Sequence, residues 1–234
     1  ASIFVFDIAF KVKYTLLHIV TVNFNNYLEV TFMKIHFLGH SCFLLEGSKK
    51  VIIDPYLKPD NPVALKTAEE IECDYILATH GHRDHLGSSI AISKRTGATI
   101  IAAWEVVYHC QTLGATGHGM HIGGVNQFDG IKVKLMDGIC LYHSGDTGLF
   151  GDMRTVIGDL NKIDVACLCI PGNYMMDPDD AVIAADWLKA KYVIPMHYNS
   201  TPHTEQDPQA FKAKLESKTN SEGIILKPGE SFEI

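Results

Sequence analysis

His80-Gly81-His82-Arg83-Asp84-His85 places three imidazoles and a carboxylate within six residues. The run follows Tyr75-Ile76-Leu77-Ala78-Thr79, an apolar, strand-like stretch that stops at the first histidine. A strand ending in ligands delivers them to a sheet edge, where loops can build an open site. Neutral imidazole suits zinc, iron and manganese, and a carboxylate between two histidines can serve a second ion. The competing reading is a solvated polar loop with incidental histidines. Ligand density at metal-site spacing favours the metal centre.

Two further stretches repeat the pattern of a strand ending in a ligand. Ile139-Cys140-Leu141-Tyr142 leads into His143-Ser144-Gly145-Asp146-Thr147-Gly148, and Val193-Ile194-Pro195-Met196 leads into His197. Three strand ends could converge on one rim. With these motifs in view, the chain resembles the metallo-β-lactamase superfamily. Within it, the chain looks most like bacterial and archaeal metal-dependent hydrolases related to ascorbate-6-phosphate lactonase. Lys34-Ile35-His36-Phe37-Leu38-Gly39-His40-Ser41-Cys42-Phe43, Ile52-Ile53-Asp54-Pro55-Tyr56, Ile122-Gly123-Gly124 and Gly172-Asn173-Tyr174 carry that closer likeness, which covers residues 33–234.

The resemblance implies an α+β fold, a four-layer αββα sandwich with the metal site at one edge between the sheets. It implies two divalent ions, zinc by default, with manganese, iron or nickel fitting the same donors. His80 and His82 would bind the first ion, and Asp84, His85 and His197 the second, with Asp146 bridging. The nucleophile would be a water or hydroxide between the ions, which lower its pKa and polarise the scissile carbonyl or phosphoryl oxygen. Asp84 and Asp146 are then the catalytic carboxylates, and Asp84 could orient the water or accept its proton.

One departure stands out. Family members carry another histidine, in a His-Ser-Ser-like segment, between the strand matching 131–135 and the one before Asp146. Here Leu135-Met136 runs directly into Asp137-Gly138. A histidine-bearing loop is expected at that junction, and a genuine deletion would leave the first metal site short of a ligand.

The remaining histidines divide by position. His143 lies three residues before Asp146, so a strand turns it to the opposite face. His40, after the first strand of the domain, belongs near the site, behind the ligands or against substrate. Asp54 is either a similar supporting group or a turn residue before Pro55. His118 and His121 sit in Gly117-His118-Gly119-Met120-His121, where glycine spacing signals an exposed turn. His36 reads as in-strand, His109 as helix surface and His203 as a loop residue. Tyr198 and Asn199, with His40, are the candidate substrate contacts, and Thr201, Asn173 and Tyr174 are weaker ones. Arg83 either faces solvent or attracts an anionic substrate.

A 234-residue chain with 47% apolar residues can bury a sizeable core. Strands are expected over 34–38, 42–46, 51–54, 75–78, 99–102, 131–135, 139–142, 165–170, 192–195 and 223–226. Helices are expected over 88–96, 105–113, 155–160, 178–189 and 208–217, the last two opened by Asp177-Pro178 and Asp207-Pro208. Strands first, then strand–helix alternation, predicts two mixed sheets with helices outside. Residues 33–234 read as one domain. Residues 1–32, apolar but interrupted by charge, read either as an extension from an alternative start or as a β-rich arm. They contain no clean membrane span and no signal-peptide pattern.

A net charge of -7 argues against nucleic acid as partner. Six cysteines without a C-x-x-C pair read as reduced core residues of a cytoplasmic protein. The leading expectation is a metal-dependent hydrolase of a small ester, lactone or phosphodiester, phosphorylated or not. A nuclease, or a binding protein with a degraded metal site, is the alternative. A homo-oligomer is left open.

Overall fold

A computed structural model of the chain describes residues 20–24, 33–121, 124–129, 131–133 and 140–234. The elements run β1 (Val20–Phe24), β2 (Lys34–Gly39), β3 (Cys42–Glu46), β4 (Lys50–Ile53), β5 (Tyr75–Leu77), α1 (Arg83–Leu86) and α2 (Ser89–Thr96). There follow β6 (Thr99–Ala103), α3 (Trp104–Thr112), β7 (Gly117–Met120), β8 (Asn126–Phe128), β9 (Ile131–Val133) and β10 (Cys140–His143). The chain then forms β11 (Val165–Cys169), α4 (Pro178–Leu188), β12 (Tyr192–Met196), α5 (Pro208–Lys218), β13 (Glu222–Gly223) and β14 (Ser231–Glu233).

Period-two alternation builds the first sheet, ordered β14-β2-β3-β4-β5-β6-β7. Ile35, Phe37, Phe43, Leu45, Val51, Ile53, Leu77 and Ile101 all face the second sheet. Their neighbours Leu38, Leu44, Ile52, Ile76, Ile100 and Ala102 face the opposite way, onto Ile92 of α2 and Val107 and Cys110 of α3. The second sheet is ordered β13-β12-β11-β10-β1-β9-β8. Its β11, Val165–Cys169, is buried along its whole length, as a central parallel strand covered on both faces should be. Ala181, Ala184, Ala185 and Leu188 of α4 and Phe211 and Leu215 of α5 belong to the same core as the inner faces of the sheets. The architecture is the expected αββα sandwich.

Helix starts follow the Asp-Pro signals. Asp177 Oδ1 accepts from the Asp180 amide at 2.8 Å, and Asp207 Oδ1 from Gln209 at 2.9 Å and Ala210 at 3.1 Å.

Several local readings change. The stretch expected as a helix over 155–160 is a π-helical turn, Met153–Gly158. The strand expected over 223–226 is the two-residue β13. The supposed glycine turn at Gly117–Met120 is the edge strand β7. Its glycines serve close packing instead: a Cβ on Gly119 would stand 2.6 Å from the Trp104 ring, and one on Gly117 2.6 Å from Val107. The Met136-Asp137 junction, where a histidine-bearing loop is expected, lies among residues 134–139, outside the described residues, and the sequence there contains no histidine.

Within the first 32 residues, Val20–Phe24 pairs antiparallel with both β10 and β9, in the sheet interior rather than at its edge. Removing residues 1–32 would leave both partner strands without those hydrogen bonds. At about 1 kcal/mol per net bond, and about 2–4 °C per kcal/mol for a chain of this size, the melting temperature should fall by about 10 °C. An unchanged melting curve for the truncated protein would show that the segment adds nothing to the domain.

Candidate metal centre

The site forms where β5, β10 and β12 end. After β5, Thr79 is fully buried and the chain turns into His80 and His82, with Asp84 and His85 on the short α1. Asp54, at the end of β4, anchors this turn. Its Oδ1 accepts from the Thr79 amide at 2.8 Å, and its Oδ2 from the Thr79 hydroxyl at 2.7 Å and from His85 Nδ1 at 2.7 Å. These contacts set two tautomers. In its neutral form His85 keeps the Nδ1 proton that Asp54 holds, so the lone pair it would offer an ion is on Nε2, facing the site. The Thr79 hydroxyl already donates its one proton to Asp54, so His80 Nδ1 donates to Thr79 Oγ1 across 3.0 Å. His80 Nε2 then presents a lone pair, 2.9 Å from His82 Nδ1. Two nitrogens bound to one tetrahedral zinc stand ~3.3 Å apart, given bonds of 2.0–2.1 Å.

The structure brings six of the expected side chains together. Asp146 Oδ1 lies 3.1 Å from His85 Nε2 and 3.4 Å from His197 Nε2. Asp84 Oδ2 lies 3.8 Å from His197 Nε2 and 4.0 Å from His85 Nε2. Potential ligand atoms fall into two groups, each within 4.8 Å: His80, His82 and Asp146 in one, and His40, Asp84, His85 and His197 in the other. Asp146 belongs to the first group and touches two members of the second.

Buried polar atoms test whether an ion fits. His85 Nε2, both ring nitrogens of His197, and Asp146 Oδ1 are buried without a hydrogen-bond partner. Such atoms are costly to leave unsatisfied unless something binds them. Imidazole nitrogens and a carboxylate oxygen sharing one small space are the donor set of zinc and its neighbours. The residues fit a divalent cation.

The charges agree. Burial raises the Asp146 pKa, but His85 and His197 hold it well below the usual carboxylate range. Asp84 is likewise lowered, with His40 and His85 overcoming its partial desolvation. Full burial opposes ionisation of Asp54, yet His85 holds its carboxyl at about 2. Burial depresses His85, and the Asp146 and Asp54 carboxylates more than reverse this, leaving its pKa well above the ordinary value. For His40 burial dominates, and its pKa is lowered.

Backbone strain concentrates on the same rim. His40, Asp54, His197 and Asn199 have φ of 60°, 45°, 63° and 54°. Non-glycine residues adopt this region at a cost, and such residues cluster at functional sites. The His197 amide donates to the His40 carbonyl at 2.8 Å, which ties the two strained turns together.

The other candidates take up distinct positions. His143 belongs to neither group of potential ligand atoms. It is fully buried, donates from Nε2 to the Ser41 carbonyl at 3.0 Å and accepts from the Gly145 amide at Nδ1 at 3.1 Å. It therefore braces the turn carrying Asp146 against the turn after β2. Asn199 spends its side chain on Gln206, donating to its carbonyl at 3.0 Å and accepting from its amide at 2.8 Å. Tyr198 is partly buried against the inter-sheet core. Arg83 is 80% exposed and pairs with Asp60. Tyr174 is 80% exposed, and His109, His121 and His203 are exposed. His118 lies on β7, its Nε2 2.9 Å from Asn126 Nδ2. His36, on β2, contacts Glu46 at 2.8 Å.

Sequence reasoning overlooked Ser200 and Thr204. Ser200 Oγ is 2.8 Å from His40 Nδ1, and His40 Nε2 is 3.2 Å from Asp84 Oδ2. No local spacing announces a contact between residues 160 positions apart. An open cavity of about 790 Å³ is lined by residues 199–202 and 205–207, beginning two residues after His197.

The family described as the β-lactamase superfamily domain matches residues 34–197. A metal-dependent hydrolase of Pelotomaculum thermopropionicum is 46% identical, over 86% of this chain and 100% of the relative. One of Desulforamulus reducens is 43% identical with the same coverage. The first alignment spans 230 positions, more than 86% of the 234-residue chain supplies, so the relative carries residues this chain lacks. Among solved structures, a metallo hydrolase from the archaeon Ignicoccus hospitalis is similar at TM-score 0.80 and 32% identity, over 87% of this chain and 98% of that one.

Proposed function

This chain belongs to the β-lactamase superfamily, among its metal-dependent hydrolases, and on that premise we propose that it cleaves a small ester, lactone or phosphodiester with two divalent ions held between its sheets. The observation that carries this reading is the set of buried, unpartnered ligand atoms on His85, His197 and Asp146. His80, His82 and Asp146 would hold one ion, and Asp84, His85 and His197 the other, with Asp146 reaching both. Zinc suits these donors by default, with manganese, iron or nickel as substitutes. Such ions lower the pKa of water and polarise the oxygen of the scissile group.

The protein supplies positioning and proton handling. Asp84 is 38% exposed, at the mouth of the site, where its free oxygen can orient an attacking water or take its proton. Asp54 and Thr79 hold His85 and His80 in the tautomers that aim Nε2 inward. The cavity beside Ser200 would receive the part of the substrate that does not react. Its lining includes Glu205 and Asp207 and no Lys or Arg, which favours a neutral or hydroxyl-bearing group over a phosphate there.

A net charge of -7 and this acidic lining support a small-molecule substrate rather than nucleic acid. Among the described residues no helix is long and apolar enough to cross a membrane. All six cysteines are free and five are buried, which supports the cytoplasmic assignment.

The test is metal analysis of the purified protein, then a screen of lactones, phosphodiesters and thioesters with the metal found. Two ions per chain are expected. Chelation should abolish turnover and metal return should restore it. Turnover that survives complete chelation would overturn the proposal.

A further inference from the structure

His40 stands among the potential ligands of the second ion, together with Asp84, His85 and His197. Proton placement decides its part. Its Nε2 lies 3.2 Å from Asp84 Oδ2, and its Nδ1 2.8 Å from Ser200 Oγ. An ionised carboxylate only accepts, so His40 Nε2 carries the proton of that contact. In the neutral ring Nδ1 then accepts, and Ser200 must donate to it.

The surroundings of Ser200 allow this. Thr204 Oγ1 donates to the Thr201 carbonyl at 2.9 Å and accepts from the Ser200 amide at 3.2 Å and the Thr201 amide at 3.0 Å. Its proton is thus engaged away from Ser200, and the Ser200 hydroxyl keeps its own proton for His40. Both His40 nitrogens are occupied: Nε2 carries the proton, and the one lone pair, on Nδ1, is taken by Ser200. His40 is also only 4% exposed, and its carbonyl is held by the His197 amide, so the ring has little room to turn away.

We propose that Ser200 and His40 are positioning residues: the Ser200 hydroxyl sets the His40 tautomer, and His40 Nε2–H holds Asp84 in place as a ligand of the second ion. His40 is therefore not itself a ligand. The proposal rests on the metal-centre reading above. It adds a link between the centre and the cavity, because Ser200 lines that cavity. Outer partners of metal ligands typically change affinity by about 10–100-fold when removed.

The experiment is Co(II) titration of the wild-type protein and of Ser200→Ala, Ser200→Thr and His40→Gln, followed by visible absorption, with thermal melting as a folding control. Ser200→Ala should weaken the second ion by about tenfold or more, and Ser200→Thr, which keeps the hydroxyl, should recover most of that loss. At saturation all four proteins should give the same Co(II) spectrum, because the ligand set is unchanged. A changed ligand-field spectrum in His40→Gln would make His40 a ligand and overturn the assignment. Wild-type affinity in Ser200→Ala would overturn it too, while two ions bound by the wild-type protein left the metal reading standing. A wild-type protein that takes up no Co(II) would overturn both.

Discussion

An Asp146→Ala protein is expected to lose hydrolysis almost completely and to bind less metal, whereas His203→Ala should stay near normal. Asp146 is 17% exposed, and its Oδ1 stands 3.1 Å from His85 Nε2 and 3.4 Å from His197 Nε2. It also groups with His80 and His82. Removing it takes negative charge from between the ion positions and from beside the His85 and His197 rings. A loss of several kcal/mol of transition-state stabilisation corresponds to about a thousandfold or more in rate. His203 is exposed on the turn after β12 and shows no contact with the cluster. The measurement is turnover on the substrate found by screening, with metal content determined in parallel. An Asp146→Ala protein that keeps two ions and near-normal turnover would remove Asp146 from the centre.

The second large effect is expected at Asp54, which touches no ion position. Asp54→Ala should lower stability by about 3–5 kcal/mol, the usual result of breaking a buried charged pair. That corresponds to about 10 °C in melting temperature for a chain of this size. Asp54 is 0% exposed and accepts three hydrogen bonds, from the Thr79 amide and hydroxyl and from His85 Nδ1. Its loss strands those donors and frees His85 to rotate or change tautomer. Metal affinity should fall by about 10–100-fold as well. The pH dependence has a definite sign. The folded-state pKa of Asp54 is about 2, below ~3.9 in an unfolded chain. Its contribution is therefore fully present above about pH 4 and fades as the pH drops through 2. The gap between the wild-type and Asp54→Ala melting curves in metal-free protein should narrow over that range. Equal stability of the two proteins at pH 7 would show that Asp54 is only a turn residue.

Legibility in the sequence followed the range of the interaction. The run from His80 to His85 could be read as a ligand set because its chemistry lies in six consecutive residues after a strand. Short apolar runs bounded by turn residues, at 34–38 and 42–46, announced strands of the first sheet. The Asp-Pro helix starts were equally local. Local rules misled at Gly117 and Gly119. A glycine chosen so that a helix can pack closely looks the same in sequence as one chosen for a turn.

The chain's own residue order determined the donor types, the strands that deliver them and the membership of one family. Tertiary structure decided which groups became partners. Ser41 and His143 are 102 residues apart and His40 and Ser200 are 160 apart, yet each pair is joined by a hydrogen bond across the rim. The tautomers of His80 and His85 were settled by Asp54, just after β4. Spacing along a strand selects a face, but not what packs against it. That depends on how two sheets bury their apolar faces together, a balance summed over the whole core, and only the folded arrangement brings these donors and acceptors within reach.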